Sequence, residues 1–264
     1  MGIWQAFKHA LDPSPQYGEF ELLETETGEP QNLFARPQAE EEQPIEPGKA
    51  TVAEQTGLGE NETIGSALDG NLAAMDRAFC AGQNSDCIIR RFRIAGKVRA
   101  AAVYLTGMAN AALVNDFILR QLMQKEVLEP NGRTLTRCIV EDRLAVGDVS
   151  CERTMVTLVE KVLDGNTVVF IDGEREALVI ETTGFEKRSI SQPTAEKVVR
   201  GPQEGFTESL RTNITLLRRI IRTPDLVGEI KPLGGENNLR LALVYRESIV
   251  NPKLLCEVKR RVSK

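Results

Sequence analysis

Two hundred and sixty-four residues, 41% apolar and 27% charged with a formal net charge of −5, give room for one large domain or two small ones. No apolar run reaches the length of a membrane span, and the opening MGIWQAFKHAL lacks the order of a secretory signal. Five cysteines without a Cys-x-x-Cys pair exclude a zinc knuckle or a disulfide framework and point to a reducing compartment.

The charge is unevenly spread. Residues 1–62 hold 13 acids against Lys8, Arg36 and Lys49, which leaves +5 on the remaining 202 residues. Strings such as ETETGEP and EEEQPIEP cannot bury enough surface to offset backbone entropy, so 1–62 reads as an acidic, disordered tail. Within it only Ile3, Trp4, Phe7 and Leu11 share a helical face, as a short fraying helix or as a docking or membrane-surface one.

Order is expected from about Asn61. Ile64, Leu68, Leu72, Met75 and Phe79 recur at spacings of three and four and predict a helix that ends at Ala81-Gly82. CIIRRFRI (87–94) and VRAAAVYL (98–105) read as strands around a turn at Gly96. A helix is predicted from Asn110, its cap, to about Gln124, and 127–149 carries no clear pattern. Another helix is predicted over 150–163, and TVVFI-DGE-REALVIET (167–182) is a hairpin around Asp172-Gly173.

The chain then repeats itself. Leu68, Leu72, Met75 and Phe79 lie over Leu210, Ile214, Leu217 and Ile221, and Asp86 and Gly96 bracket a strand as Asp225 and Gly235 do. RAAAVYLTGMANAALVNDFILRQL (99–122) matches RLALVYRESIVNPKLLCEVKRRVS (240–263) at seven of 24 positions. Asn110 and Asn251 both stand at a helix N-cap, and Leu113, Val114 and Phe117 map onto Leu254, Leu255 and Val258, a face expected to be buried twice. The predicted fold is therefore α/β: two related subdomains of helix–strand–strand–helix units with mixed sheets, spanning 63–195 and 196–264. The second is expected to be incomplete, cut before its final hairpin and exposing apolar surface.

For chemistry the sequence offers little. His9, the one histidine, lies in the tail, which excludes a histidine-based triad; no phosphate-binding glycine motif occurs, and no catalytic residue, metal or cofactor is expected. Arg211, Arg218, Arg219 and Arg222 lack an aromatic platform and read as a solvated helix surface, so nucleic acid is not an expected partner. A ligand or subdomain-interface role falls to the junction segment, on Arg200, Gly201, Pro202, Glu204, Gly205, Phe206, Glu208, Arg211 and Asn213, because ligand sites favour domain boundaries.

The run VVRGPQEGFTESLRTNITLLRRIIRTPDL, with LDGNTVVFIDGEREALVIETTGFEKRSISQPTAE before it and VYRESIVNPKLLCEVKRRVSK after it, resembles the N-terminal soluble domain of the A subunit of spore nutrient-germinant receptors, the GerA family. The resemblance covers about residues 60–264 and implies a non-enzymatic domain in germinant signal transduction at the spore inner membrane. It also implies a transporter-like B subunit and a lipoprotein C subunit as partners, with self-association and a small-molecule nutrient as further ones. The membrane region of the family is absent, so the chain alone reads as soluble, with the cytoplasmic side expected. The alternatives are a free-standing small-molecule binding module and an inactive truncated remnant.

Overall fold

In the computed structural model, residues 51–125, 134–184, 205–233 and 239–263 are described. They lie within one compact unit, Lys49–Lys264. The predicted helix around Ile3–Leu11 and the tail up to residue 50 fall outside the described residues.

Structure begins earlier than the composition suggests. Inside the stretch read as tail, α1 (Val52–Thr56) is set by a capping box in which the Thr51 hydroxyl accepts from the Glu54 N–H and the Glu54 carboxylate accepts from the Thr51 N–H. Ala53, Leu58 and Ile64 are buried, so three apolar anchors hold a segment that is otherwise polar. The next helix, α2 (Leu68–Phe79), starts one turn later than its periodicity predicts. Its N-cap, Ala67, has no side chain to offer, and Asp172 supplies the missing acceptor by taking the Leu68 N–H at 3.1 Å.

Strands β1 (Cys87–Ile94) and β2 (Val98–Leu105) stand where the alternation placed them, in antiparallel register from Cys87↔Leu105 to Ile94↔Val98. Helix α3 follows in three consecutive pieces, Ala111–Leu113, a π-helical Val114–Leu119 and Arg120–Met123. The pattern-poor stretch yields α4 (Leu135–Asp142), capped by Thr134. The helix predicted over 150–163 is split: β3 (Val149–Glu152) pairs with a later strand, and α5 (Met155–Leu163) begins only at Met155. Tertiary pairing overrides local propensity there. The predicted hairpin forms as β4 (Thr167–Ile171) and β5 (Ala177–Ile180).

The five strands run β1-β2-β4-β5-β3. Every strand pairing among the described residues is antiparallel, where mixed sheets were expected. The side chains alternate cleanly between two layers. Ala101, Val103, Leu105, Val168 and Phe170 meet α2 and α5, while Ala100, Ala102, Val169 and Ile171 meet α3 and α4.

The second repeat has α6 (Leu210–Ile220), β6 (Leu226–Leu233), β7 (Leu239–Arg246) and α7 (Pro252–Val262), the expected order. Equivalent bonds recur in both copies. Asn110 Oδ1 accepts from Ala112 and Leu113 at 2.9 and 3.3 Å, and Asn251 Oδ1 from Lys253 and Leu254 at 2.9 and 3.3 Å. Asn71 clasps both backbone groups of Gly65, and Asn213 both of Thr207, each six residues upstream. The face expected to be buried twice is only partly so: Val114 is buried and Leu113, Leu255 and Val258 are half-buried, while Phe117 and Leu254 stand 42% and 37% exposed. In α3 the π-helical stretch instead turns Val114, Ile118, Leu119 and Leu122 onto the sheet.

Candidate functional site at the junction of the repeats

The loop between α2 and β1 lies along the outer edge of β6. Ser85 N–H donates to Gly228 O at 2.9 Å, and Asn84 Oδ1 accepts the Gly228 N–H at 3.1 Å. The Asn84 amide donates in turn to Phe79 O and Leu226 O, and Ser85 Oγ accepts from Ile230 N–H at 3.0 Å. This loop therefore satisfies an edge that would otherwise present bare backbone groups.

Behind it lies Arg218, on the inward side of α6 and 1% exposed. Its Nε and Nη2 bond both oxygens of Asp86, at 3.1 and 2.9 Å, while Nη1 donates to Thr223 O and Nη2 also to Leu226 O. A forked guanidinium against a carboxylate, with backbone acceptors taking further protons, is the geometry in which a buried charge is tolerated. Asp86 belongs to the first repeat and Arg218 to the second, so a buried ion pair ties the two.

Two further contacts reach across. Tyr245 donates to Glu229, its hydroxyl stands 3.0 Å from Gln83 Oε1, and Lys259 of α7 bonds the same Glu229 carboxylate. Burial and the bond to Glu229 push the Tyr245 phenol well above its ordinary range. Thr223 Oγ1 stands 3.0 Å from Gln55 Oε1 of α1. The ion pair Arg222–Asp164 also crosses, but both side chains are largely exposed and it contributes little.

The residues singled out from the sequence lie elsewhere. Arg200, Gly201, Pro202 and Glu204 fall outside the described residues. Gly205, Phe206, Glu208 and Arg211 are exposed around the start of α6, and the amide of Asn213 is spent on Thr207. Sequence reasoning placed Arg218 on a solvated stripe, whereas it is the most deeply buried charge of the junction. The repeat gave no signal for it, since Arg218 lies over Asp76, which is exposed.

Among the described residues no group of three metal-ligating side chains converges, and no helix is long and apolar enough to cross a membrane.

Comparison with known proteins agrees with this architecture. A solved N-terminal domain of the A subunit of the Bacillus megaterium spore germinant receptor GerK3 matches with a TM-score of 0.59 at 26% identity, over 77% of this chain and 73% of that one. Spore germination protein KA of Bacillus subtilis (strain 168) is 36% identical over 203 residues, and spore germination protein GerLA of Bacillus cereus 30% identical over 198. These matches take in 76% and 74% of this chain but 37% and 40% of those relatives. The family model described as Bacillus/Clostridium GerA spore germination protein matches residues 76–264, and the chain belongs to that family.

Proposed function

We propose that this chain is a non-enzymatic signalling domain of a nutrient-germinant receptor A-type subunit, acting at the spore inner membrane with a transporter-like B subunit and a lipoprotein C subunit. The observation that carries this reading is the buried Arg218–Asp86 pair in a chain of this family. Removing one member of such a pair costs about 3–5 kcal/mol, because a charge is left without its partner. Coupling energies between ligand sites are typically about 1–3 kcal/mol. A signal of that size does not separate the repeats, so they move as one body.

Helix α6 then has two working sides. Its inner side holds Arg218 against the first repeat. Its outer shoulder, with Phe206 at 72% exposure and with Gly205, Glu208 and Arg211, faces a partner subunit. Pressure on that shoulder passes through a rigid helix into the 83–86 loop and the five-stranded sheet. This reading needs no reaction and no cofactor.

The test is Arg218→Met in spores of the strain that encodes the chain, with germination followed by loss of optical density and assembly by co-purification. The expected result is a variant that still associates with B- and C-type subunits while the germination rate falls. Germination at the parental rate, or an unaltered chain that never co-purifies with those subunits, would overturn it.

A further inference from the structure

The two repeats act as an internal control: what the fold needs recurs in both, and what one copy alone carries has another cause. The β1–β2 hairpin is such a case. Residues 87–105 hold Arg90, Arg91, Arg93, Lys97 and Arg99 and no acidic residue. Counted from Asp86 and Asp225, the second copy has Glu229, Ile230 and Pro232 in the places of Arg90, Arg91 and Arg93. It also has Arg211 in the place of Asp69, and Arg99 alone recurs, as Arg240.

The arrangement works against the hairpin. Its register sets Arg93 directly opposite Arg99, and like charges in that relation repel. The second copy sets Pro232 opposite Arg240 and avoids the conflict. Alternation puts Arg91 and Arg93 on the face of Cys87 and Ile89, and with Arg99 they line a recess of about 300 Å³ beside Leu68.

Two carboxylates hold part of this cluster in place. Asp69 accepts from Arg91 Nη1 and Arg99 Nη2, both at 2.7 Å. Asp172 stands 3.3 Å from Arg99 Nε, while its other oxygen takes the Leu68 N–H. Arg93 has no carboxylate, and its Nη1 donates to Lys97 O at 3.2 Å. Nε and Nη2 of both Arg91 and Arg93 have no partner among the described residues. Exposed ion pairs of this kind add little stability, so the cluster is not explained by the fold.

We propose that Arg91, Arg93 and Arg99 bind a phosphate monoester group. Four cations, Lys97 included, stand against two carboxylates. A phosphate with close to two negative charges offsets that excess, where a single carboxylate would leave half of it. Its oxygens accept from the Nε–Nη2 forks of Arg91 and Arg93, a bidentate fit that lysines could not give. Asp69 and Asp172 already restrict Arg91 and Arg99, so less freedom is lost on binding. The group can belong to a soluble phosphate ester or to a phospholipid headgroup that ends in phosphate. This inference rests on the hairpin and its counterpart, and is independent of the receptor reading.

The experiment uses the 264-residue chain at constant ionic strength with two probes. Inorganic phosphate is followed by phosphorus NMR line width, and phosphatidylcholine vesicles with and without phosphatidic acid by co-sedimentation. Saturable binding is expected, and Arg93→Gln should weaken it at least about tenfold. Arg120→Gln, which removes an exposed arginine of α3 outside the recess, should leave it unchanged. Ligand-free Arg93→Gln should melt at the same temperature or higher, because the repulsion across the strands is gone. Binding of free phosphate alone assigns a soluble ester, and sedimentation with phosphatidic acid assigns a headgroup; either supports the site. No saturable binding of either probe, equal binding by Arg93→Gln, or an equal loss in Arg120→Gln would overturn the proposal. So would a lower melting temperature of ligand-free Arg93→Gln, since the arginine would then serve the fold.

Discussion

Asp86 and Asp225 hold the same place in the two repeats, and their carboxylates are met by arginines of different origin. The backbone carbonyl of each accepts from the equivalent amide, Thr106 N–H in one copy and Glu247 N–H in the other. Asp225 is bound by Arg246 of its own repeat, together with Ser248 and Thr223. In the first repeat the position of Arg246 is taken by Leu105, which has nothing to donate, and Arg218 crosses over to fill the role. The carboxylate that is paired within its own repeat at Asp225 is paired between the repeats at Asp86.

Arg218→Met should therefore lower stability by about 3–5 kcal/mol, read as a shift of the urea midpoint. Adding Asp86→Leu should return much of that loss, because an apolar pair strands no charge. Simple additivity of the two losses would show that they do not interact.

The paired asparagine clasps give a second prediction. Asn71→Ala and Asn213→Ala each remove a side chain that satisfies one backbone donor and one acceptor, at a cost of about 1–3 kcal/mol. The first should be the costlier, since Asn71 is buried and Asn213 half-buried. Equal effects within error would remove burial as the deciding factor.

Acid should loosen the second repeat. Burial works against the charged forms of Asp225 and Glu229, but for Asp225 the bonds from Ser248, Thr223 and Arg246, and for Glu229 those from Lys259, Tyr245 and Lys231, outweigh it and hold both carboxyls below their ordinary range. A folded-state value that is depressed contributes stability above the unfolded value, and that stability is lost as pH falls through the folded one. Near neutrality stability should be level in pH, and from about pH 4 downward it should fall. Ser248→Ala should take away about 1–2 kcal/mol at pH 7 and less at pH 3. An equal loss at both values would separate Ser248 from the Asp225 charge.

Thiol chemistry can report on the junction. Burial, then the charge of Asp86, pushes the Cys87 thiol up to about 12, and Cys138 is buried, so both should resist labelling until the chain unfolds. Cys256 and Cys151 are exposed and should label first. Cys80 is raised by burial and then by Glu247 and Asp225 of the second repeat. Its labelling should quicken in Arg218→Met, and an unchanged rate would mean the repeats stay together without the arginine.

Gly107→Ala is the fifth prediction. Its φ of 87° is a conformation other residues resist, and an added Cβ would strike Thr215 Oγ1 on α6. A loss of about 1–3 kcal/mol is expected, only partly relieved by Thr215→Ala, because the backbone strain would persist. Full relief would assign the whole cost to the clash.

Much of the fold was readable before any coordinates. Helical and strand periods placed α2, β1, β2, the β4–β5 hairpin and α6, since an amphipathic stripe needs only local information, and correspondence with the first repeat placed β6, β7 and α7. β3 was missed because Val149–Glu152 becomes a strand only by pairing with β5, and α1 because its signal is a four-residue cap inside an acidic run. The junction was legible only in outline. Duplication announced that two halves must meet, and the amino-acid order by itself determined that, through identities such as Asn110 with Asn251. Only the tertiary structure decided that Arg218 is the residue that joins them. An arginine on a helix is solvated unless a carboxylate 132 positions away is carried to it, and that distance is closed by packing.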